Sequence, residues 1–234
     1  MAKQFLIVGA NSGIGREVFT LLSKDGHEVF TTSRGSFDNP DRHFVMENLS
    51  AFDELEGLPN SLDGLLYCPG TINLKSIQRL QTDDLLEDLE INFFGAFKAL
   101  KGMLPRLKNE DGGSVVFITT VATNVGMPMH GSIAAAKAAL HGFAISMAAE
   151  LAPRVAVNCV APSLTNTPMA EFLLNSETKV QASEDRHPLK KIGNPVSIAK
   201  TIELLMHAKD NGITGQTFNI DSGLSTVKAK NFLF

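Results

Sequence analysis

At 234 residues, 44% hydrophobic and 20% charged, the chain has the size and balance of one α/β domain with a full core, or of two small ones. A formal charge of −4 leaves no basic stripe to neutralise phosphates, which argues against nucleic acid as a main partner. No segment holds about 18 uninterrupted apolar residues, so no membrane partner is expected. The opening Met-Ala-Lys-Gln enters the first strand at once and leaves no room for a signal peptide, which predicts a cytoplasmic protein.

The first element, a candidate strand over 4–9, contains the run Phe5-Leu6-Ile7-Val8. Such a run reads as a strand buried on both faces, as parallel sheets require. Gly9-Ala10-Asn11-Ser12-Gly13-Ile14-Gly15 follows, with glycines at i, i+4 and i+6. They let the backbone turn tightly and approach a diphosphate without Cβ interference. The next segment has helical periodicity, so its N-terminus points N–H groups at the anion. Strand, glycine turn and helix together make a dinucleotide site, which narrows the chemistry to nicotinamide or flavin.

Further candidate strands lie at 28–32, 43–46, 63–68, 114–119, 154–160 and 216–220, and candidate helices near 14–25, 50–56, 82–107, 131–151, 168–182 and 195–208. This alternation predicts βαβ crossovers: a Rossmann fold with a doubly wound parallel sheet of about seven strands, helices on both faces. No repeat and no Pro/Gly/Ser linker divides the chain, so residues 1–234 are expected to form a single domain. Cys68 and Cys159 lie in or beside apolar runs without ligand-like spacing. They read as two reduced, buried thiols, with no metal site expected. The ending Phe232-Leu233-Phe234 is too apolar for a free tail and is expected to pack against a neighbouring subunit.

Taken together these segments resemble the short-chain dehydrogenase/reductase family across residues 4–225. Gly9-x3-Gly13-x-Gly15 resembles its cofactor turn, and Asn92 in Glu90-Ile91-Asn92-Phe93-Phe94-Gly95 its mid-helix asparagine. The run from Gly113 to Thr120 resembles the strand ending in the catalytic serine, and Ala135-Ala136-Lys137-Ala138-Ala139-Leu140 the helix carrying the catalytic lysine. Val157-Asn158 through Pro162 and Thr167-Pro168-Met169 resemble the segment over the nicotinamide, and Gly215 to Gly223 the last strand.

The resemblance implies hydride transfer between a nicotinamide cofactor and a carbonyl, alcohol or enoyl group of a small-molecule substrate. Such a transfer leaves negative charge on the substrate oxygen and calls for a proton donor. The family places a tyrosine four residues before the lysine; here that position is Ile133. The family's serine is Thr120, which keeps a hydroxyl, and Lys137 and Asn92 are retained. Loss of a positioned acid removes ~10²–10⁴ in rate unless another donor stands nearby. His130, seven residues before Lys137, is the first candidate, although it also reads as a loop histidine at the pocket mouth. Ser132 is the second, although a helix-start serine more often caps backbone N–H groups. Tyr67, the only tyrosine, is not expected to reach the nicotinamide.

Lys137 reads either as a solvated residue of an Ala-rich helix or, among its small apolar neighbours, as a packed charge that needs a partner, which the resemblance makes the cofactor ribose. Asn92 is implied to kink its helix and hold a water leading to that lysine. For the cofactor, the resemblance implies contacts from Gly9, Asn11, Ser12, Gly13, Ile14, Gly15, Ser33, Arg34, Asn48, Leu49, Pro69, Gly70, Lys137, Pro162, Thr165 and Thr167. Ser33 stands where an acid would bind the ribose of NAD, and Arg34 follows it, which favours NADP(H) over NAD(H). Ser12 is not the second basic residue that many such members carry. Asn48 in place of aspartate, Tyr67-Cys68-Pro69-Gly70 in place of Asn-Asn-Ala-Gly, and Ser163 in place of glycine mark further departures.

Two functions follow from this reading: an NADP(H)-dependent oxidoreductase using Thr120, Lys137 and a substitute donor, or a nucleotide-binding pseudoenzyme with a regulatory or scaffolding role. A homodimer or homotetramer pairing through 82–107 and 131–151 is implied by the resemblance. The substrate loop, about 163–192, mixes Met169, Phe172, Leu173 and Leu174 with charged residues and reads either as pocket lining or as a core-facing helix.

Overall fold

In a computed structural model, which describes residues 2–37, 40–46, 49, 52 and 55–228, the first apolar run is β1 (Gln4–Val8). It leads through the glycine turn into α1 (Gly13–Lys24), then β2 (Glu28–Ser33) and the short β3 (His43–Val45). The chain returns to β4 (Gly64–Tyr67), and α2 (Thr82–Leu89) and α3 (Gly95–Leu107) carry it to β5 (Gly113–Ile118). After α4 (Gly131–Leu151) and β6 (Val155–Pro162) come α5 (Glu171–Leu174), α6 (Glu177–Arg186), α7 (Pro195–Met206) and β7 (Thr217–Ile220).

All strands pair in parallel in the order β3-β2-β1-β4-β5-β6-β7. The fold is therefore the expected single-domain doubly wound α/β sheet of Rossmann type. The order reverses between β1 and β4, where the outgoing connections part and leave a crevice at the strands' C-terminal ends. Side chains alternate between the faces with the strand period of two. Leu6, Val8, Tyr67, Phe117 and Cys159 pack with Met103 of α3 and Leu140 and Ala144 of α4. Phe5, Ile7, Leu66 and Val116 pack with Val18 and Leu22 of α1 and Ile198 and Ile202 of α7. Each fully buried leucine among these contributes ~1.5–3 kcal/mol relative to exposure, which is why continuous apolar runs settle here.

Several expected elements differ. The stretch 82–107 is one helical path but contains a π-turn, Glu90–Phe94, where the Asn92 side chain donates to the Asp88 carbonyl (2.8 Å). A helix over 168–182 does not form as one piece. Pro168–Ala170 is a 3₁₀ turn, α5 stops at Leu174, and α6 restarts where the Ser176 hydroxyl accepts from the Lys179 N–H (3.3 Å). Met169 and Phe172 are exposed, while Leu173 and Leu174 are half-buried. The helix expected over 50–56 lies mostly outside the described residues, as does Phe232-Leu233-Phe234. Helix α4 is, by length and composition, long and apolar enough to cross a membrane. Here Ala136, Leu140 and Ala144 on its inner face are buried in the protein. Lys137 interrupts its apolar run, so a count of uninterrupted residues passes over it.

Candidate active site

The glycine turn opens onto the crevice. Gly9 sits at φ +83°, a left-handed conformation that favours glycine, and its N–H donates to the Thr32 carbonyl (2.8 Å). A Cβ on Gly15 would stand 2.2 Å from the Gly9 carbonyl oxygen, so strand and helix approach closely only because Gly15 has none. Ser12 is extended and makes no side-chain capping bond. The first-turn N–H groups of Gly13, Ile14 and Gly15 thus have no intrahelical acceptor and form the positive end of α1, with Asn11 and Ser12 exposed on the rim. This cradle, shaped by absent side chains, fits a dinucleotide pyrophosphate.

Beyond β4, Pro69 lies against the turn: a Cβ on Gly9 would meet its ring at 3.2 Å. A Cβ on Gly70 would lie 3.2 Å from Asn92 Oδ1 and 3.6 Å from Lys137 Nζ, so both side chains converge on that edge. Lys137 is 6% exposed and its ammonium donates to the Ile118 carbonyl (2.6 Å). Burial lowers its pKa from the usual lysine range to about 8. Asn92 is fully buried; its amide donates to Thr71 Oγ1 (2.8 Å), while its Oδ1 has no donor among the described residues.

Pro162 ends β6 beside Ile220 of β7. The loop after it is held by side-chain bonds: Thr165 donates to the Ser163 carbonyl (2.9 Å) and Thr167 to the Thr165 carbonyl (3.4 Å). A Cβ on Gly13 would lie 3.2 Å from the Thr167 methyl, so this loop returns over the glycine turn. At the other end of the cleft, the Ser33 hydroxyl donates to the Gly35 carbonyl (2.8 Å), beside His43. Arg34 next to it is exposed.

Residues 46–225 match the family model described as Enoyl-(Acyl carrier protein) reductase. The chain belongs to the short-chain dehydrogenase/reductase family. It is an NAD(P)-dependent oxidoreductase of the short-chain type. A 3-oxoacyl-[acyl-carrier-protein] reductase of Synechocystis is 31% identical, covering 95% of this chain and 97% of its own. The FabG reductase of the same description from Staphylococcus aureus is 28% identical over 96% and 98%. The ligand-free aldohexose dehydrogenase of Thermoplasma acidophilum superposes with a TM-score of 0.90 at 23% identity, covering 100% and 98%, a likeness of fold.

Within this short-chain fold the remaining site candidates differ in burial and in their partners. Thr120 follows β5 and caps a 3₁₀ turn, its Oγ1 accepting from the Ala122 N–H (3.3 Å). Ile133 is buried one turn before Lys137. His130 precedes α4 and is half-buried, and its Nδ1 pairs with the Pro128 carbonyl (2.8 Å). Ser132 does not cap α4; it is buried and donates to the Asp84 carbonyl (3.3 Å). The Tyr67 hydroxyl donates to the Ile91 carbonyl (2.6 Å), and burial raises its pKa, so it stays protonated inside the core. Leu49 turns its side chain into the core beside Gly95, and Asn48 lies outside the described residues. Both cysteines are free, Cys159 buried and Cys68 only partly so.

Two groups escape the motif reading. Buried Asp88 forms a polar cluster with half-buried Thr71 and Asn73 beside Asn92. The only sequence sign of it is an acid one turn before the asparagine. His187, 1% exposed, lies with Nδ1 2.7 Å from the Ser183 carbonyl and Nε2 2.8 Å from Ser163 Oγ. A carbonyl only accepts, so Nδ1 carries a proton toward Ser183, and Nε2 pairs with the Ser163 hydroxyl. No sequence pattern announces this pair.

Proposed function

We propose that the chain, as one dinucleotide-binding unit over 1–234, is an NADP(H)-dependent oxidoreductase acting on a small carbonyl, alcohol or enoyl substrate, with Ile133 in place of the family's tyrosine acid. The observation that carries this reading is the convergence of buried Lys137 and Asn92 on Gly70, beside the Gly9–Gly15 cradle. The bound nicotinamide would supply or accept the hydride.

The chain's own residues supply the rest. Gly9 to Gly15, Pro69, Gly70, Pro162, Thr165 and Thr167 surround the nucleotide, and Lys137 donates to its ribose. Asn11, Ser12 and Ile14 border the pyrophosphate. Exposed Arg34 beside Ser33 supports the 2′-phosphate of NADP over NAD, since a guanidinium matches phosphate. Thr120 Oγ1 already accepts a backbone N–H, so its own proton is free to point at the substrate oxygen. Ile133 holds no proton, and His130 or an ordered water replaces the tyrosine. The exposed Phe94 at the end of the π-turn, Phe97 on α3 and Ile145 on α4 support pairing of copies into a homodimer or homotetramer. The compartment proposed is the cytoplasm.

The test is NADPH oxidation with a panel of ketones, 3-oxoacyl thioesters and enoyl thioesters, using the natural chain, Ile133→Tyr and His130→Ala. Turnover by the natural chain is expected, with a loss of ~10²–10⁴ in His130→Ala if the histidine is the donor. Activity confined to the tyrosine variant overturns the enzyme reading in favour of a nucleotide-binding protein without turnover.

A further inference from the structure

Asp88 sits on α2 one helical turn before Asn92 and, like it, is fully buried. Its Oδ1 accepts from the Thr71 hydroxyl and from the Asn73 amide (2.9 Å), while its Oδ2 meets no donor among the described residues. Asn92 joins the same cluster, donating to Thr71 Oγ1 (2.8 Å) while its own Oδ1 is left without a donor beside Lys137. Two donorless oxygens therefore stand on successive turns of one helical path. A buried carboxylate is costly unless a cation faces it, and a buried ammonium is costly unless an anion does.

Among the described residues, the titratable groups whose charge acts on Lys137 are Cys68 after β4, Cys159 on β6 and Asp88 on α2. Burial pushes both thiols up to about 12, so they are neutral over the range in which Lys137, lowered by burial to about 8, changes charge. That leaves the Asp88 carboxylate as the anion of the set. Ile133, one turn before the lysine, offers no charge.

We propose that Asp88 is a positioning residue for Lys137: through Thr71 it anchors Asn92 at the Gly70 edge, and its charge holds the lysine as an ammonium able to bind the nucleotide. The binding half of this rests on the nucleotide reading above; the charge half does not. Asp88 thereby supplies the electrostatic partner that the tyrosine position lacks.

Asp88→Asn preserves shape and can still accept from Thr71 and Asn73 while removing the charge. The lysine Cε resonances of the ¹³C-labelled whole chain, with Lys137 assigned through Lys137→Arg, report the ammonium titration without any ligand. NADPH fluorescence titrations across pH report affinity. In Asp88→Asn the Lys137 midpoint is expected to fall by about one pH unit. Affinity should then drop about fivefold near pH 8 and stay close to the parent's near pH 6, as the charged fraction dictates. Should that variant not fold, Thr71→Val takes its place; it removes the Thr71 bond to Asn92, leaving only the bond to the Asp88 backbone carbonyl, but keeps the charge, and a several-fold loss of affinity at every pH is expected. An unchanged midpoint and profile in folded Asp88→Asn, or unchanged affinity in Thr71→Val, overturns the proposal. If the parent binds no NADPH, the nucleotide reading fails instead, and the resonance titration alone judges Asp88.

Discussion

Gly15→Ala is predicted to damage both the fold and the nucleotide cradle with a single methyl group. The added Cβ would stand 2.2 Å from the Gly9 carbonyl oxygen, 3.1 Å from its carbon and 3.2 Å from Ala10 Cα. Every one of these atoms is backbone, so no side chain can rotate away. Strand β1 and helix α1 must part by about 1 Å to restore an ordinary contact, against two faces of packed core. Overpacking of this kind costs ~1–3 kcal/mol, and the rigidity of the neighbours puts this case near the top of that range. For a chain of this length, ~3 kcal/mol lowers Tm by roughly 6–12 °C. Parting β1 from α1 also spoils the cradle, so nucleotide affinity falls with stability. Thermal melts followed by circular dichroism, with and without NADPH, measure both. A variant that melts with the parent and binds NADPH equally well would refute the close-approach argument.

Two further substitutions probe groups away from the glycine turn. Lys137→Met is expected to stabilise the protein while abolishing nucleotide binding. The folded lysine titrates at about 8, below its ordinary 10.5, so the unfolded chain binds the extra proton between those values and the parent gains stability as pH rises through them. The full penalty, roughly 3 kcal/mol, applies below about pH 8; denaturant melts should show the variant's advantage there and its decline toward pH 10, and lower stability at pH 7 contradicts the sign. His187→Ala strips Ser163 and Ser183 of their shared partner and leaves a cavity, for a loss of ~2–4 kcal/mol. Amide exchange should quicken over 171–186, and unchanged exchange there would show that the histidine does not hold the substrate loop.

The strands could be read from the chain alone because β1, β4, β5 and β6 are buried on both faces, so nearly every side chain in them is apolar. The glycine turn was legible for a related reason: where a Cβ is excluded, the residue type itself carries the geometry, as at Gly9 and Gly15. Lys137 and Asn92 are singled out by the resemblance of their surrounding motifs to the short-chain family, not by periodicity, which records only that both lie in helical runs. What only the tertiary structure decided involves partners distant in sequence. Asp88 meets Thr71, Ser163 meets His187, and Tyr67 turns its hydroxyl to Ile91, pairs that leave no periodic trace. The break of 168–182 into three pieces depends on a serine cap that propensity alone ranks below continuation of the helix. Local patterns record which face of an element avoids water; which polar side chain answers another across the fold is set only once those faces have packed.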